Sequence, residues 1–271
     1  MINRVIYLML NRIVKQDPDV KPMDVYERYD RQIMIFGLEG QKRLSNSSVA
    51  VVGAGGLGSP AILYLAAAGV GRIYVVDRDI VSISDLNRQI LYTEKDIGRK
   101  KADVVCEKIM RLNSTIDVLC KDEEFSESNG REIVKDVDIV IDAVDNWETR
   151  YILNKLCVEL KKPLVHAGII GWYGQATTVI PNRTPCLSCI IPKPLPKKKI
   201  PVIGVTPGIL GVIEAAEAIK YLLGIGPSLL NKLLIVDLLY MEFRTIEIKR
   251  NVRCPVCGVF KSDEVIRGDN V

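Results

Sequence analysis

The fold is decided by one stretch, Ser48-Val-Ala-Val-Val-Gly-Ala-Gly-Gly-Leu-Gly-Ser-Pro-Ala-Ile-Leu-Tyr-Leu-Ala-Ala-Ala-Gly69. Residues 49–52 form a short apolar run, rich in valine, that is typical of a buried parallel strand. Gly53, Gly55 and Gly58 then give the spacing G-x-G-x-x-G, and strong helix formers follow. At such a turn the backbone can approach a phosphate, and the helix N-terminus offers free N–H groups. The stretch therefore predicts a binding site for a phosphate-bearing nucleotide.

Length and composition limit the class of protein. The 271 residues allow one large domain or two small ones, and 48% hydrophobic with 26% charged residues is ordinary for a globular chain. A net charge of +4 gives no argument for direct nucleic-acid binding. We find no signal peptide and no apolar run near the roughly 18 residues of a membrane helix, so we expect no membrane association. The odd number of cysteines, 7, favours free or metal-bound thiols and a cytoplasmic location.

Strand-like and helix-like segments alternate through the first two thirds of the chain. After the opening unit we predict strands at residues 72–77, 116–120, 137–145 (with its loop) and 163–168, and helices at 26–36, 98–111, 127–135 and 147–160. This alternation predicts a Rossmann-like, doubly wound parallel sheet. Beyond Gly168, antiparallel strands are predicted at residues 173–180, 233–237 and 242–248, with a long apolar helix at 208–223.

The same pattern predicts the domain organisation. We expect an N-terminal helix and linker over residues 1–25 and a single domain over residues 26–271. Residues 48–168 would form its nucleotide-binding half, and residues 169–271 would carry the partner-binding surface and a pair of metal knuckles.

Acidic side chains follow two of the predicted strands. Asp77 and Asp79 come about 20 residues after the glycines, where an acid typically accepts hydrogen bonds from ribose hydroxyls. Ligands of such sheets bind at the carboxyl ends of the strands, so Asp142 and Asp145 should face the same crevice. Asp145 could hold Mg²⁺ or could simply cap the helix that starts near residue 147. On these residues alone, an NAD-dependent dehydrogenase is a serious alternative.

Basic residues are the next candidates. Arg88 follows the acidic turn, and Lys101 opens a predicted helix together with Arg99 and Lys100. Cations at a helix N-terminus oppose the helix dipole, which indicates a local anion, although a solvated basic face is equally consistent. The single histidine, His166, lies in an apolar strand and is predicted to be a core residue. Chemistry without a histidine base is compatible with nucleotidyl transfer, which depends on positioning and charge neutralisation.

Two C-x-x-C pairs predict a metal site. The pairs are Cys186-Leu-Ser-Cys189 and Cys254-Pro-Val-Cys257, and four thiolates with no open position suit structural zinc. Such a site would tie the C-terminal tail to the first pair. Four unrelated thiols or a redox C-x-x-C are the alternatives. Cys106, Cys120 and Cys157 fall in predicted helices or strands and are most simply core residues.

Taken in order, these residues resemble the ThiF/MoeB/HesA group, the relatives of ubiquitin-activating enzymes. The matching pieces are residues 28–33, 53–58, 77–79, 81–89, 98–101 and 144–146 and both C-x-x-C pairs. They cover about residues 26–258, and the resemblance makes the dehydrogenase a remote alternative. It implies ATP-dependent adenylation of the C-terminal glycine of a small ubiquitin-like sulfur-carrier protein ending in Gly-Gly, with release of pyrophosphate.

The resemblance also implies roles for individual residues. The nucleotide-binding set would be Gly53, Gly55, Gly56, Gly58, Asp77, Asp79 and Asn87. Asp79 would bind the ribose, Arg88 and Lys101 the phosphates, and Asp145 the Mg²⁺ ion. Arg31 would reach the phosphates in the neighbouring subunit, which implies a homodimer.

One departure from the family concerns covalent chemistry. Many relatives carry a cysteine between the first zinc pair and the long C-terminal helix, whereas residues 190–223 contain none. We therefore expect adenylation without a thioester at that position, followed by a downstream sulfur donor in molybdopterin, thiamin or tRNA thiolation. Residues 192–201 are predicted to cover the partner's extended tail. Adenylation of a small-molecule or tRNA-borne carboxylate, and a non-catalytic binding scaffold, are the alternative functions.

Overall fold

A computed structural model describes residues 26–192, 200–226 and 229–258. The predicted helix and linker over residues 1–25 and most of the predicted loop at 192–201 lie outside the described residues. The strands are β1 (Ser48–Val52), β2 (Arg72–Val76), β3 (Asp117–Lys121), β4 (Ile139–Asp142), β5 (Leu164–Ile170), β6 (Tyr173–Val179), β7 (Lys232–Asp237) and β8 (Glu242–Glu247). The helices are α1 (Asp30–Ser45), α2 (Gly58–Ala67), α3 (Lys101–Leu112), α4 (Glu127–Lys135), α5 (Trp147–Glu159), α6 (Leu187–Ile190) and α7 (Val205–Leu223).

All eight strands form one sheet in the order β3-β2-β1-β4-β5-β6-β7-β8. Strands β1 to β5 pair in parallel, and β5 to β8 pair antiparallel. This confirms the predicted α/β fold, a Rossmann-like parallel sheet extended by antiparallel strands. The strand order reverses between β1 and β4, and a crevice forms at the carboxyl ends of strands where the order reverses.

The two faces of the sheet carry separate apolar cores, because successive strand side chains point to opposite faces. On one face Val49 and Val51 pack with residues of α2, α3 and α7. On the other, Ala50 and Val52 pack with residues of α4, α5 and the C-x-x-C cysteines. Helices therefore cover both faces of the parallel half, as its near-continuous apolar strands require. No helix among the described residues is long and apolar enough to cross a membrane.

The glycine turn after β1 is fixed by close backbone approaches. Gly53 has φ +96°, and a Cβ atom there would lie 2.5 Å from the carbonyl oxygen of Ala143. A Cβ on Gly58 would lie 2.0 Å from the carbonyl oxygen of Gly53. Both positions therefore exclude any side chain, which explains the glycines by packing as well as by ligand access.

The helix predicted at residues 26–36 and the start of α7 differ from the sequence predictions. In place of one helix over residues 26–36, a 3-10 turn at Glu27–Tyr29 leads into α1, which continues to Ser45 across a break at Gly37 (φ +72°). Helix α7 starts at Val205 rather than residue 208, because Pro207 in its first turn costs no helical hydrogen bond.

The expectation that Cys106 and Cys120 are simple core thiols is wrong. Their sulfurs form a disulfide between α3 and β3, with the Cα atoms 6.0 Å apart. Cys157 is fully buried, as predicted. The disulfide also contradicts the expectation that all seven cysteines are free or metal-bound.

Helix α7 buries an acid in the core. Glu214 is fully buried, and neither carboxyl oxygen has a hydrogen-bond partner among the residues that the structure describes. Burial and, secondarily, the nearby Asp142 raise the pKa of Glu214 well above its usual value. The surroundings of the side chain therefore favour its protonated form.

We predict that Glu214→Gln stabilises the protein increasingly as the pH rises. A carboxyl whose pKa is higher in the folded chain contributes stability below its unfolded pKa and loses it as the pH rises toward the folded pKa. The variant and the parent should thus differ least near pH 4, and the variant should melt a few degrees higher at about pH 8. Thermal unfolding across this range measures the effect. Glu132→Gln, at an exposed position of α4, is the matched control, and a difference independent of pH would contradict the prediction.

Candidate active site

A cleft of about 960 Å³ opens at the carboxyl ends of β1, β2 and β4. Most of the predicted site residues line it: Gly53, Gly55, Gly56, Asp77, Asp79, Asn87, Arg88, Lys101 and Asp145. Two residues that the resemblance assigns to the nucleotide and its phosphates do not line this cleft. Gly58 is buried in the first turn of α2, and Arg31 is exposed on α1.

The acidic turn after β2 contains two carboxylates with different surroundings. Asp77 accepts hydrogen bonds from the backbone amides of Ala54 (2.7 Å) and Asp79 (2.8 Å), which ties the turn to the glycine loop. Burial raises the pKa of Asp77 despite these two bonds. The side chain of Asp79 is 59% exposed and is therefore accessible to a ligand.

Asp85 holds the two predicted phosphate-binding cations together. Its Oδ1 lies 3.2 Å from Nη2 of Arg88, and its Oδ2 lies 3.8 Å from Nζ of Lys101. Lys101 also contacts Asp79 at 3.0 Å, although its own side chain is only 4% exposed. Asp85 was not among the predicted site residues. The available signal was Ser82-x-x-Asp85, a capping box that the structure contains.

The other two cations at the start of α3 belong to a surface network. Nη2 of Arg99 lies 2.6 Å from Glu107, and Nζ of Lys100 lies 2.5 Å from Asp122. Only Lys101 of the three lines the cleft. Protein carboxylates thus surround this basic segment, and one of its three side chains faces the candidate ligand site.

The loop after β4 presents one acid to the cleft and turns another away. Asp142, expected in the crevice, is fully buried against Arg150 of α5 and His166 of β5. Asp145, by contrast, is exposed and lines the cleft. The side chain of Asn146 accepts the bond from the Thr149 amide that caps α5 (2.9 Å). The alternative role of Asp145 as the helix cap is therefore wrong, and its carboxylate is available to a cation.

A buried ion pair lies beneath this loop. Nε of Arg150 donates to Oδ2 of Asp142 (2.9 Å), and Nδ1 of His166 lies 2.7 Å from the same oxygen. Despite its burial, Asp142 has a lowered pKa because of these two partners. His166 is a core residue, as predicted. The roles of Arg150 and Asp142 were missed, since the partners are separated in sequence and meet only in the fold.

The four cysteines of the C-x-x-C pairs meet at one point. Their sulfurs all lie within 4.8 Å of one another, and three of the four residues are buried. Although burial opposes ionisation, the backbone amides of Cys257 and Val256 hold the pKa of Cys254 at about 7. Four convergent sulfurs form the ligand set that suits a tetrahedral zinc ion.

Comparison with known proteins gives close relatives along most of the chain. The ThiF family model matches residues 29–256. The chain is 44% identical over 245 residues to a sulfur carrier protein adenylyltransferase of Thermus thermophilus, covering 86% of this chain and 90% of that protein. It is 44% identical over 240 residues to the SAMP-activating enzyme E1 of Haloferax volcanii, covering 86% of this chain and 88% of that protein.

Solved structures with a similar fold are also found. A crystal structure of Escherichia coli MccB with ATP superposes with a TM-score of 0.78 at 23% identity, covering 89% of this chain and 75% of MccB. At that identity the likeness concerns the fold alone. The match to the family model and the identity to its curated relatives show that this chain belongs to the ThiF family.

Proposed function

We propose that this chain is an ATP-dependent adenylyltransferase that activates the C-terminal glycine of a small ubiquitin-like sulfur-carrier protein. The observation that carries the proposal is one cleft, in a chain of the ThiF family, whose lining includes a glycine turn, the cations Arg88 and Lys101 and the exposed carboxylate of Asp145. The glycine turn and α2 N-terminus suit phosphate groups. Arg88 and Lys101 supply positive charge, and Asp145 supplies an oxygen ligand for a hard cation.

The reaction needs no general base. The carrier's terminal carboxylate is already ionised at neutral pH, so it can attack the α-phosphorus of ATP directly. A bond forms between a carboxylate oxygen and that phosphorus, the bond to the bridging oxygen breaks, and pyrophosphate leaves with the electron pair. Arg88 and Lys101 would neutralise the charge on the phosphates during this step. Asp145 would hold Mg²⁺, which when bound neutralises polyphosphate charge together with these cations.

A protein second substrate is supported by exposed apolar surface at the β7–β8 end of the sheet. The large side chains there are between 49% and 70% exposed: Leu239, Tyr240, Met241 and Phe243. Contiguous exposed apolar surface of this kind marks interaction sites. Adenylation of a small-molecule or tRNA-borne carboxylate would leave this surface without a use.

The cysteines of the chain support direct transfer of the carrier's acyl group from the adenylate to an external sulfur donor. Four cysteines form the cluster, Cys106 and Cys120 are bonded to each other, and Cys157 is buried. Burial also raises the pKa of Cys157 far above its usual range, so it is no nucleophile. The persulfide of an external donor would therefore attack the acyl carbon, forming an acyl disulfide and releasing AMP. A second thiol of the donor would then cleave the S–S bond, forming a disulfide within the donor and leaving a thiocarboxylate for molybdopterin, thiamin or tRNA thiolation.

A homodimer is supported by the exposed surface of α1. Met34 is 75% exposed and Ile35 is 80% exposed, immediately beside the exposed Arg31. Packing this apolar surface against a second copy would bury it and could bring Arg31 to the partner's phosphates. The cytoplasmic location and the division of the domain at residue 168 also stay predictions.

The first test is ATP–pyrophosphate exchange with candidate carriers that end in Gly-Gly. We predict exchange only when a carrier is present, and a loss of at least about a hundredfold in Asp145→Ala and Arg88→Ala, because each removes charge from the transition state. Arg111→Ala is the matched control, since Arg111 is a 75% exposed surface cation.

Two outcomes would contradict this proposal. Exchange that requires a free amino acid or modified tRNA in place of a carrier would favour the alternative substrates, and no ATP binding at all would favour a scaffold. The same reaction run on a denaturing gel without reductant tests the absence of a thioester. A reductant-sensitive adduct between carrier and chain would refute direct transfer.

Arg31 can be tested by complementation between subunits. Arg31→Ala and Asp145→Ala should each be inactive alone. If Arg31 acts on the neighbouring site, random reassortment of the two variants regenerates one intact site in each mixed dimer, so about a quarter of the parental exchange activity should return. Monomeric behaviour in sedimentation, or no recovery in a verified mixed dimer, would overturn the proposed role.

The cysteine cluster is proposed to hold structural zinc. Elemental analysis of the purified chain should find about one zinc per chain, and chelation should lower the melting temperature by more than about 10 °C, because metal binding contributes directly to folding. Cys189→Ser should lose the metal, whereas Cys157→Ala, outside the cluster, should retain it. A metal-free chain with an unchanged melting temperature would exclude the structural site.

A further inference from the structure

The loop that carries Asp145 lies over four buried titratable groups. Asp142, Arg150, His166 and Glu214, here called the buried cluster, have exposed fractions of 6% or less. They come from β4, α5, β5 and α7, and none takes part in the reaction proposed above. The inference below rests on that proposed function, because it concerns the position of Asp145.

Arg150 joins the elements that surround the loop. Besides its bond to Asp142, its Nη2 donates to the carbonyl oxygens of Val144 (2.6 Å) and Ala167 (3.2 Å). The guanidinium carbon lies 4.9 Å from the ring centre of Trp147, in a cation–π contact. One planar group thus contacts β4, the loop, β5 and the first turn of α5.

The ion pair holds the peptide groups on both sides of Val144. The Val144 amide lies 3.4 Å from Oδ1 of Asp142, while the Val144 carbonyl accepts the bond from Arg150. The Val144 carbonyl belongs to the peptide bond between Val144 and Asp145. This arrangement therefore fixes the orientation of the backbone at Asp145. The Val144–Asp145 peptide group cannot rotate without breaking the buried, charge-assisted hydrogen bond from Arg150.

The remaining two groups keep the ion pair in one arrangement. His166, which burial and then Arg150 keep neutral by lowering its pKa, donates from Nδ1 to Asp142. Glu214 approaches from the opposite face of the sheet, near the Ala167 amide, where burial and Asp142 favour its neutral form by raising its pKa. An ionised Glu214 would compete with Asp142 for Arg150, whereas the neutral acid does not weaken the ion pair between Asp142 and Arg150.

We propose that Arg150 is a positioning residue, which together with Asp142 and His166 orients the Val144–Asp145 peptide so that the Asp145 carboxylate can hold the magnesium ion of the nucleotide. Arg150 itself reaches the lining of the cleft, but its hydrogen bonds run to Asp142 and to the carbonyl groups of Val144 and Ala167, so we assign its effect to the position of Asp145. The cluster would hold the Asp145 carboxylate in position, because a metal ion bound to a nucleotide tolerates little displacement of the protein group that coordinates it.

The test is Arg150→Lys, which keeps the positive charge beside Asp142 but loses the planar fork that reaches two carbonyl groups. We expect the rate of carrier-dependent exchange at saturation to fall about ten- to a hundredfold. We expect the Mg²⁺ concentration for half-maximal rate to rise at least about threefold, with the KM for the carrier unchanged. Leu153→Ala is the matched control, because Leu153 is a fully buried residue on the same helix and its truncation costs stability without removing any of the hydrogen bonds that hold the loop.

A second pair of variants protects the test against misfolding of Arg150→Lys. His166→Asn retains a donor near the position of Nδ1, whereas His166→Leu removes it. The leucine variant should show the raised Mg²⁺ requirement and the asparagine variant should restore the parental value. Equal Mg²⁺ requirements in the parent, Arg150→Lys, His166→Leu and Leu153→Ala would overturn the proposal, since only a structural role would remain.

Calorimetric titration of ATP at several Mg²⁺ concentrations separates this inference from the proposed function, because it needs no carrier. We expect Arg150→Lys to weaken binding of Mg²⁺-ATP about tenfold and binding of metal-free ATP by less than about twofold. If the parent binds Mg²⁺-ATP but exchanges with no carrier, the proposed function fails and the binding data alone decide the role of Arg150. Equal weakening with and without Mg²⁺ would refute that role.

Discussion

The cleft depends on the contact between the turn after β1 and the end of β4. Because these parallel strands are neighbours, the Gly53 turn passes so near the Ala143 carbonyl that a Cβ would fall 2.5 Å from it. The nucleotide loop and the Asp145 loop are therefore adjoining parts of one wall. Displacing either would move the other, so the glycine at position 53 constrains both the glycine turn and the Asp145 loop of the candidate site.

Carboxylates within the protein hold the two cations predicted to bind phosphate. Asp85 contacts both Arg88 and Lys101, and Asp79 contacts Lys101 at 3.0 Å. Buried lysine needs an anionic partner to remain charged at a reasonable free-energy cost. An incoming triphosphate would thus meet cations that are already oriented, at the expense of competing with the carboxylates that orient them.

Local sequence patterns predicted most of the fold, whereas the partners within the site needed the fold itself. The glycine spacing, the valine-rich runs and the C-x-x-C pairs each act over a few residues, so the strands, the glycine turn and the cysteine cluster could be inferred. Asp85 was recognisable only as a turn-capping residue, since Lys101, which it contacts together with the nearby Arg88, approaches from another segment. The Cys106–Cys120 disulfide and the inward orientation of Asp142 were mispredicted, because both follow from how α3 and α5 pack on the sheet.

The buried cluster shows that partners, more than burial, decide the charge of an acid. Asp142 and Glu214 are both fully buried, yet the pKa of Asp142 is lowered and that of Glu214 is raised. Asp142 has Arg150 and His166 beside it, whereas the oxygens of Glu214 lack hydrogen-bond partners among the described residues. Where the raised pKa of Glu214 and the lowered pKa of His166 favour their neutral forms, the charges of Asp142 and Arg150 cancel. A cluster of zero net charge can orient Asp145 without adding repulsion beneath a polyphosphate, which two ionised acids in the same place would do.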